Sequence, residues 1–281
     1  MPYENFLANL ICPDCKGKLT GSESSLSCSN CKLNFPIINN IPVFLKTSCC
    51  NLNVKEYEYW NSRDNAVVTL YENLADSYYY KLIEIFDIPT HTKGLELGCG
   101  DGPFARRLLH RNMDIYGVDI SLPLLQLSLN MTPVQADALR LPFPDESFDW
   151  LICAFSLHHV PDPAKSIQES IRVLKEGGKI FIIDPNYYHP VRFLTRKPNS
   201  FLRKYIFNYL SPEERWIPLS IIKHNLQDRK ASINTIRFIT PEFKTSTYFG
   251  KVQKIISRYF NFPFMNIITQ SYYLVIGTKT K

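Results

Sequence analysis

The stretch Leu95-Glu96-Leu97-Gly98-Cys99-Gly100-Asp101-Gly102 constrains the fold more than any other part of this 281-residue chain. A short apolar run ends in three glycines spaced one residue apart, and FARRLLHRN then begins a helical pattern. Glycine reaches backbone angles closed to other residues and carries no Cβ, so the chain can lie against a ligand. The helix start just beyond offers unpaired N–H groups suited to a carboxylate or phosphate. Such a bend needs a sheet behind it. From Thr92 onward short apolar strands alternate with helical stretches, and strands are expected at Gly94–Leu97, Ile115–Asp119, Val134–Asp137, Asp149–Phe155 and Lys179–Asp184. PAKSIQESIRVLKEGG has helical period and ends in a glycine stop. After Asp184 the alternation lapses into an aromatic and basic stretch before a last strand at Tyr272–Gly277. This order means βαβ units and a doubly wound, Rossmann-like α/β sheet with helices on both faces.

A glycine loop alone is shared by every dinucleotide-binding fold. In the nicotinamide-binding version the third glycine falls three residues after the second; here it falls two after, and Pro103 follows. Asp119 ends the second strand, where a carboxylate can accept hydrogen bonds from ribose hydroxyls. Asp137, followed by the backbone N–H of Ala138, suits the amino and ring-nitrogen edge of adenine. With these residues in place the stretch from about Thr92 to Asp184 resembles the class I S-adenosylmethionine-dependent methyltransferases, in particular the quinone and small-molecule branch. ELGCGDG resembles the first family motif and GVDIS the second. ADALRLPFPDESFDWLICAFSLHHV resembles the third and fourth, and RVLKEGGKIFIID the helix and strand after them. The resemblance implies a seven-stranded sheet with S-adenosylmethionine bound by Glu96, Gly98, Cys99, Gly100, Asp119, Ile120, Asp137 and Ala138. Phe155 would lie beneath the methionine end, with Ser156.

Methyl transfer from a sulfonium is an in-line displacement, for which positioning of the nucleophile supplies much of the acceleration. A base helps when the acceptor is a hydroxyl or an acidic carbon. The candidates at the C-terminal rim of the sheet, where open α/β sheets bind ligands, are His158, His159 and Asp184. Packing and loop hydrogen bonding are the alternative role for the two histidines. Cys99 and Cys153 read as small buried hydrophobes.

Ahead of this domain, Cys12-x2-Cys15 and Cys28-x2-Cys31 have the spacing of a tetrahedral structural zinc site with four thiolates and no open position. In a module of this size the metal replaces the missing core. CPDCKGKL, the second knuckle and FPIINNIPVFL resemble the small zinc-ribbon proteins that partner RNA and translation-factor methyltransferases in eukaryotes. In those relatives the ribbon stabilises the methylase by β-pairing. A structural prop and a substrate-recognition element are both open roles for it here. Cys49 and Cys50 read as reduced thiols in a linker. The expected division is a zinc ribbon over 1–46, a helical linker or cap over 47–91 and the methyltransferase domain over 92–281, with 186–245 as a substrate lid.

The net charge of +6 is unevenly spread: from His189 to Phe260 there are 14 Lys/Arg against 4 Asp/Glu. Interleaved aromatics suggest RNA, where bases stack beside phosphate-binding cations, or an anionic membrane surface, or a basic lid over an apolar pocket. The acceptor is expected to be a small, lipid-linked or glycan-linked molecule methylated at oxygen or carbon. The alternatives are an RNA base and a cofactor-binding scaffold without catalysis. The sequence has no uncharged apolar run of eighteen residues and its start lacks the features of a secretory signal, so a cytoplasmic protein is expected.

Overall fold

A computed structural model describes residues 9–45, 54–62, 76–108, 111–128, 130–189, 215–228, 230–239 and 272–281. The expected thiol pair Cys49-Cys50 lies outside these residues, as do 190–214 and 240–271, which hold most of the aromatic-basic stretch.

The N-terminal module is a four-stranded antiparallel sheet of β1 (Leu19–Gly21), β2 (Ser25–Cys28), β3 (Asn34–Ile38) and β4 (Ile41–Pro42). Its two knuckles are built alike. Lys16 N–H donates to Cys12 O at 2.9 Å and Lys32 N–H to Cys28 O at 3.1 Å, each lysine standing in the left-handed region at φ 58° and 60°. The β3–β4 hairpin turns through Asn39 and Asn40, both at positive φ, which is the chemistry a two-residue hairpin loop asks for.

The larger sheet has seven strands: β5 (Lys93–Leu97), β6 (Asp114–Asp119), β7 (Thr132–Gln135), β8 (Phe148–Ala154), β9 (Leu174–Pro185), β10 (Ala231–Ile239) and β11 (Tyr272–Lys279). Their order is β10-β11-β9-β8-β5-β6-β7. The five strands from β9 to β7 are parallel, and β11 runs antiparallel between β9 and β10. The chain leaves β5 toward β6 on one side and returns to β8 on the other, so the switch point lies at the C-terminal tip of β5. The doubly wound, seven-stranded sheet expected from the sequence is present. Two details differ. The third expected strand ends at Gln135, leaving Asp137 two residues beyond it in a turn. The alternation does not lapse after Asp184, because a helix, Leu219–Asp228, and the edge strand β10 lie inside the stretch read as a lid.

Helices α1 (Val54–Ser62), α2 (Asp76–Phe86), α3 (Ala105–Leu108), α4 (Leu122–Leu127), α5 (Pro163–Val173) and α6 (Leu219–Asp228) flank the sheet. The residue just before the helix caps two of them: Ser121 accepts from Leu124 N–H ahead of α4, and Asp162 from Lys165 N–H ahead of α5. On one face Leu82, Phe86, Phe104 and Leu108 pack on Trp150, Phe181 and Ile183, with the Phe86 and Phe181 rings 4.4 Å apart. Helix α2, within the stretch read from the sequence as a helical linker or cap, is part of this core. On the other face the ribbon and the domain share one core: Leu10, Leu26, Phe35 and Phe44 are continuous with Tyr116, Leu141, Phe143 and Phe148. Val43 bridges Gln135 in parallel register, so the ribbon covers the β7 edge. Among the described residues no helix is long and apolar enough to cross a membrane.

Candidate functional site

The bend after β5 is held from three directions. Gly98, Gly100 and Gly102 all stand at positive φ, 66°, 53° and 80°. A Cβ on Gly98 would meet Ser156 Cβ at 2.3 Å, so this position requires glycine on both backbone and steric grounds. Asp119, at the end of β6, accepts the Gly100 N–H through Oδ2 and the Ser121 N–H through Oδ1, both at 2.8 Å. Glu96 is buried and accepts from Phe104 N–H at 3.3 Å and Ala105 N–H at 3.0 Å, capping α3. Burial pushes its carboxyl up to about 8 against those two hydrogen bonds. Burial likewise raises Asp119, opposed by the N–H groups of Ser121 and Gly100.

These residues line a cavity at the switch point. Of the nine positions expected to contact a cofactor, Glu96, Gly98, Cys99 and Gly100 come from the bend, and Asp119 and Ile120 from the end of β6. Asp137 and Ala138 come from the turn after β7, and Phe155 from the end of β8. All nine meet there. Asp137 accepts the Leu139 N–H at 2.9 Å, which orders its turn, and burial raises its carboxyl. Phe155 holds φ 57°, an uncommon angle for a bulky residue, fixed by its N–H donating to Ile183 O at 2.7 Å.

Four acidic side chains line this cavity, those of Glu96, Asp101, Asp119 and Asp137, and no Lys or Arg does among the described residues. One Asp101 oxygen accepts from Arg106 at 2.7 Å. A wall of this kind favours a cationic ligand and disfavours a pyrophosphate.

The three candidate bases separate. His159 lines the cavity, while His158 and Asp184 do not. His158 Nδ1 lies 2.8 Å from Asp184 Oδ1, and both side chains are buried. The two rings, on the single 3-10 turn Leu157–His159, pack against each other with centroids 4.1 Å apart, and His159 is the one that reaches the cavity. Sequence reasoning missed Trp60. It lines the cavity from α1, its ring edge-on to His159 at 5.1 Å, and its carbonyl accepts from Ser121 Oγ at 3.2 Å. Nothing local in a Tyr-rich polar helix marks that residue.

The second site lies in the ribbon. Cys12, Cys15, Cys28 and Cys31 bring their sulfurs within 4.8 Å of one another. Cys12 Sγ is 3.6 Å from Cys31 Sγ, and Cys15 Sγ is 3.3 Å from Cys28 Sγ. Tetrahedral zinc with bonds of about 2.3 Å separates its sulfurs by roughly 3.8 Å. The donor set fits zinc, which would be held by four thiolates in a closed, structural role.

Comparison with known proteins agrees with this geometry. Residues 95–182 match the Methyltransferase domain family. The chain carries a class I S-adenosylmethionine-dependent methyltransferase domain. Residues 5–40, ahead of that methyltransferase domain, match the Trm112p-like protein family. The chain is 32% identical over 114 residues to demethylmenaquinone methyltransferase of Paenarthrobacter aurescens, covering 39% of this chain and 44% of that one. It is 35% identical over 142 residues to 2-phytyl-1,4-naphtoquinone methyltransferase of Nostoc punctiforme, covering 45% and 61%. The chain therefore spans about half the length of the curated relatives it matches. Among solved structures, the complex between the Haloferax volcanii Trm112 methyltransferase activator and its methyltransferase is similar at TM-score 0.59 and 16% identity. That similarity covers 83% of this chain and 100% of that one. An S-adenosylmethionine-dependent methyltransferase from Mesorhizobium loti is similar at TM-score 0.55 and 17% identity, covering 72% and 98%. Both are likenesses of fold.

Proposed function

We propose that this chain transfers the methyl group of S-adenosylmethionine to a small, largely apolar acceptor at oxygen or carbon. The observation that carries the reading is the cavity wall of Glu96, Asp101, Asp119 and Asp137 without a facing Lys or Arg among the described residues. S-adenosylmethionine brings a sulfonium and an ammonium to such a wall, whereas a nicotinamide dinucleotide brings a pyrophosphate. The similarity to quinone methylases supports an acceptor of ring-bearing, lipid-linked chemistry.

Bound there, the cofactor supplies an electrophilic methyl carbon. In this reading Asp119 receives the ribose hydroxyls while its second oxygen keeps the Gly100 bend closed. Asp137 and the Ala138 N–H receive the adenine edge. The side-chain-free bend lets the methionine end lie along the backbone of Gly98–Gly100. Phe155, Trp60 and the ring of His159 exclude water from the reacting side. The cofactor would give this methyl group to the acceptor and be released as S-adenosylhomocysteine. The acceptor's proton passes to His159, the candidate base that faces the cavity. The buried His158–Asp184 pair sits behind His159, the two histidine rings being 4.1 Å apart.

Zinc in the ribbon takes no part in the transfer in this reading. The stretch read as an RNA or anionic-membrane surface falls mainly outside the described residues, and the RNA alternative rests on its composition and on the ribbon. Titration calorimetry of the purified protein with S-adenosylmethionine and with NAD tests the reading. Binding of the first and not the second is expected; the reverse overturns it. Incubating the enzyme with labelled S-adenosylmethionine and a demethylated quinone, against a short RNA, then separates the acceptor classes.

A further inference from the structure

The turn that carries Asp137 and Ala138 is held from outside its own domain. At its start Phe44 N–H, two residues beyond β4, donates to Gln135 O at 2.8 Å. At its end Ile11 N–H, just before the first knuckle, donates to Pro142 O at 2.9 Å. Between these two backbone bonds the knuckle adds two side chains. Asp14 Oδ1 accepts from Arg140 at 2.7 Å, and Lys16 Nζ donates to Leu141 O at 3.3 Å and to Glu169 Oε2 at 3.2 Å. Glu169, on α5, accepts the Leu141 N–H at 2.8 Å and is itself gripped by Arg172. Burial would raise the Glu169 carboxyl, yet Arg172 and Lys16 hold it below the ordinary range, so it stays charged at the centre of this cluster. The ribbon reaches the opposite wall as well. Ile41 is buried against Cys99 of the glycine bend and Leu125 of α4, and Gln135 Nε2 donates to the carbonyl of Ile120 at 2.7 Å.

Resting on the cofactor reading above, we infer that the first zinc knuckle sets the shape of the adenosine end of the pocket, with Asp14 and Lys16 as its positioning residues. Asp14 lies between Cys12 and Cys15, and Lys16 follows Cys15 directly. Both residues belong to the Cys12–Lys16 turn, which the Lys16 N–H closes by donating to Cys12 O and which carries two of the four thiols. Formation of the metal site therefore fixes where Asp14 and Lys16 stand. They in turn fix Arg140 and Leu141, three and four residues from Asp137. A turn displaced by about 1 Å is enough to lose much of a ligand's alignment.

Amide hydrogen exchange across 136–141 in the cofactor-free, full-length protein reads this clamp directly. Calorimetry with S-adenosylhomocysteine and with adenosine reads its effect on the pocket. In the double variant Asp14→Ala, Lys16→Ala exchange across the turn speeds up. Affinity for both adenosine-bearing probes falls about tenfold, toward the lower end of the range for coupling between sites. Lys16→Arg in place of Lys16→Ala restores most of both, because it keeps the donor to Leu141 O and Glu169. Unchanged exchange and affinity in the double variant overturns the inference, as does loss of affinity with a turn that exchanges as in the wild type. A wild-type protein that binds neither probe, yet shows the exchange response, leaves the clamp standing and removes the cofactor reading instead. Should zinc chelation unfold the chain, the double variant, with all four thiols intact, still decides.

Discussion

Asp119 Oδ2 and the backbone N–H of Gly100 lie 2.8 Å apart, and this bond ties the tip of β6 to the tip of β5 across the switch point of the sheet. One carboxylate thereby both shapes the glycine bend and faces the cavity. Its other oxygen, on the Ser121 N–H, orders the start of α4, and Ser121 Oγ reaches the carbonyl of Trp60 on α1.

Asp119→Ala removes both functions. Each hydrogen bond to a charged group is worth roughly 1.5–3 kcal/mol, so affinity for S-adenosylmethionine is expected to fall by at least tenfold. Asp119→Asn is expected to fall less, because the amide oxygen can keep one N–H. Titration calorimetry of the two variants checks the order; equal affinities would contradict it.

Gly98→Ala places a Cβ at 2.3 Å from that of Ser156 and forces an L side chain into a left-handed angle. Overpacking costs about 1–3 kcal/mol and the backbone about 1–2 more. Denaturant unfolding is expected to show a loss of that size. Ser156→Gly in the same chain should return the steric part and leave the backbone part, a non-additivity that a double-mutant cycle measures.

Glu96 gives the cofactor-free protein a pH dependence. Its carboxyl is raised to about 8 by burial, above the value it has in an unfolded chain. The protonated form is thus favoured by folding. The stabilisation it brings is complete below about pH 4.5 and is lost as pH rises through 8. Thermal unfolding between pH 5 and 9 is expected to show this decline, and Glu96→Gln to remove that part of it. A cationic ligand favours the ionised form, so affinity for S-adenosylmethionine is expected to rise over the same interval in the wild type and to be flat in Glu96→Gln.

The two neighbouring histidines are expected to fail differently. Removing one partner of a buried hydrogen bond leaves the other unsatisfied at a cost of about 1–3 kcal/mol, so His158→Ala should lower the melting temperature by several degrees. His159→Ala should leave stability nearly unchanged, raise the acceptor KM and lower kcat. Melting curves and steady-state kinetics on both variants decide this, and a stable, slow His158→Ala protein would reverse the roles.

Cys12→Ser should abolish zinc binding, seen by metal analysis as loss of one equivalent per chain. Because Leu10, Phe35 and Phe44 share a core with Tyr116 and Phe148, a single cooperative transition at lower temperature is expected. Two separate transitions would mean that the ribbon and the sheet fold apart.

Much of this was legible in the chain itself, for local reasons. The bend from Gly98 to Gly102 needs positive φ at every second residue, and only glycine supplies that without strain, so the sequence carries the mark. Strands buried on both faces, such as Leu151–Cys153 and Ile180–Ile183, read as unbroken apolar runs. Strand β10 did not, since Ala231–Ile239 is half exposed at the sheet edge and intersperses Asn234 and Arg237 among its apolar residues. Trp60 and Ile41 were invisible for another reason. Each reaches the cavity region from a segment far from the bend in sequence, and their partners, His159 and Cys99, are set by tertiary packing alone. The split between His158 and His159 likewise depends on the phase of one short turn, which no side-chain pattern encodes.

The bridge between Val43 and Gln135 has a consequence for how the molecule lives among others. An open strand at the rim of a sheet is a template on which stray chains assemble. Here that rim is capped by a piece of the same polypeptide, tethered at an effective concentration on the order of millimolar. A freely diffusing competitor would have to outbid a neighbour that never departs, so each catalytic unit keeps its own cap, one for one, however much the chain is diluted.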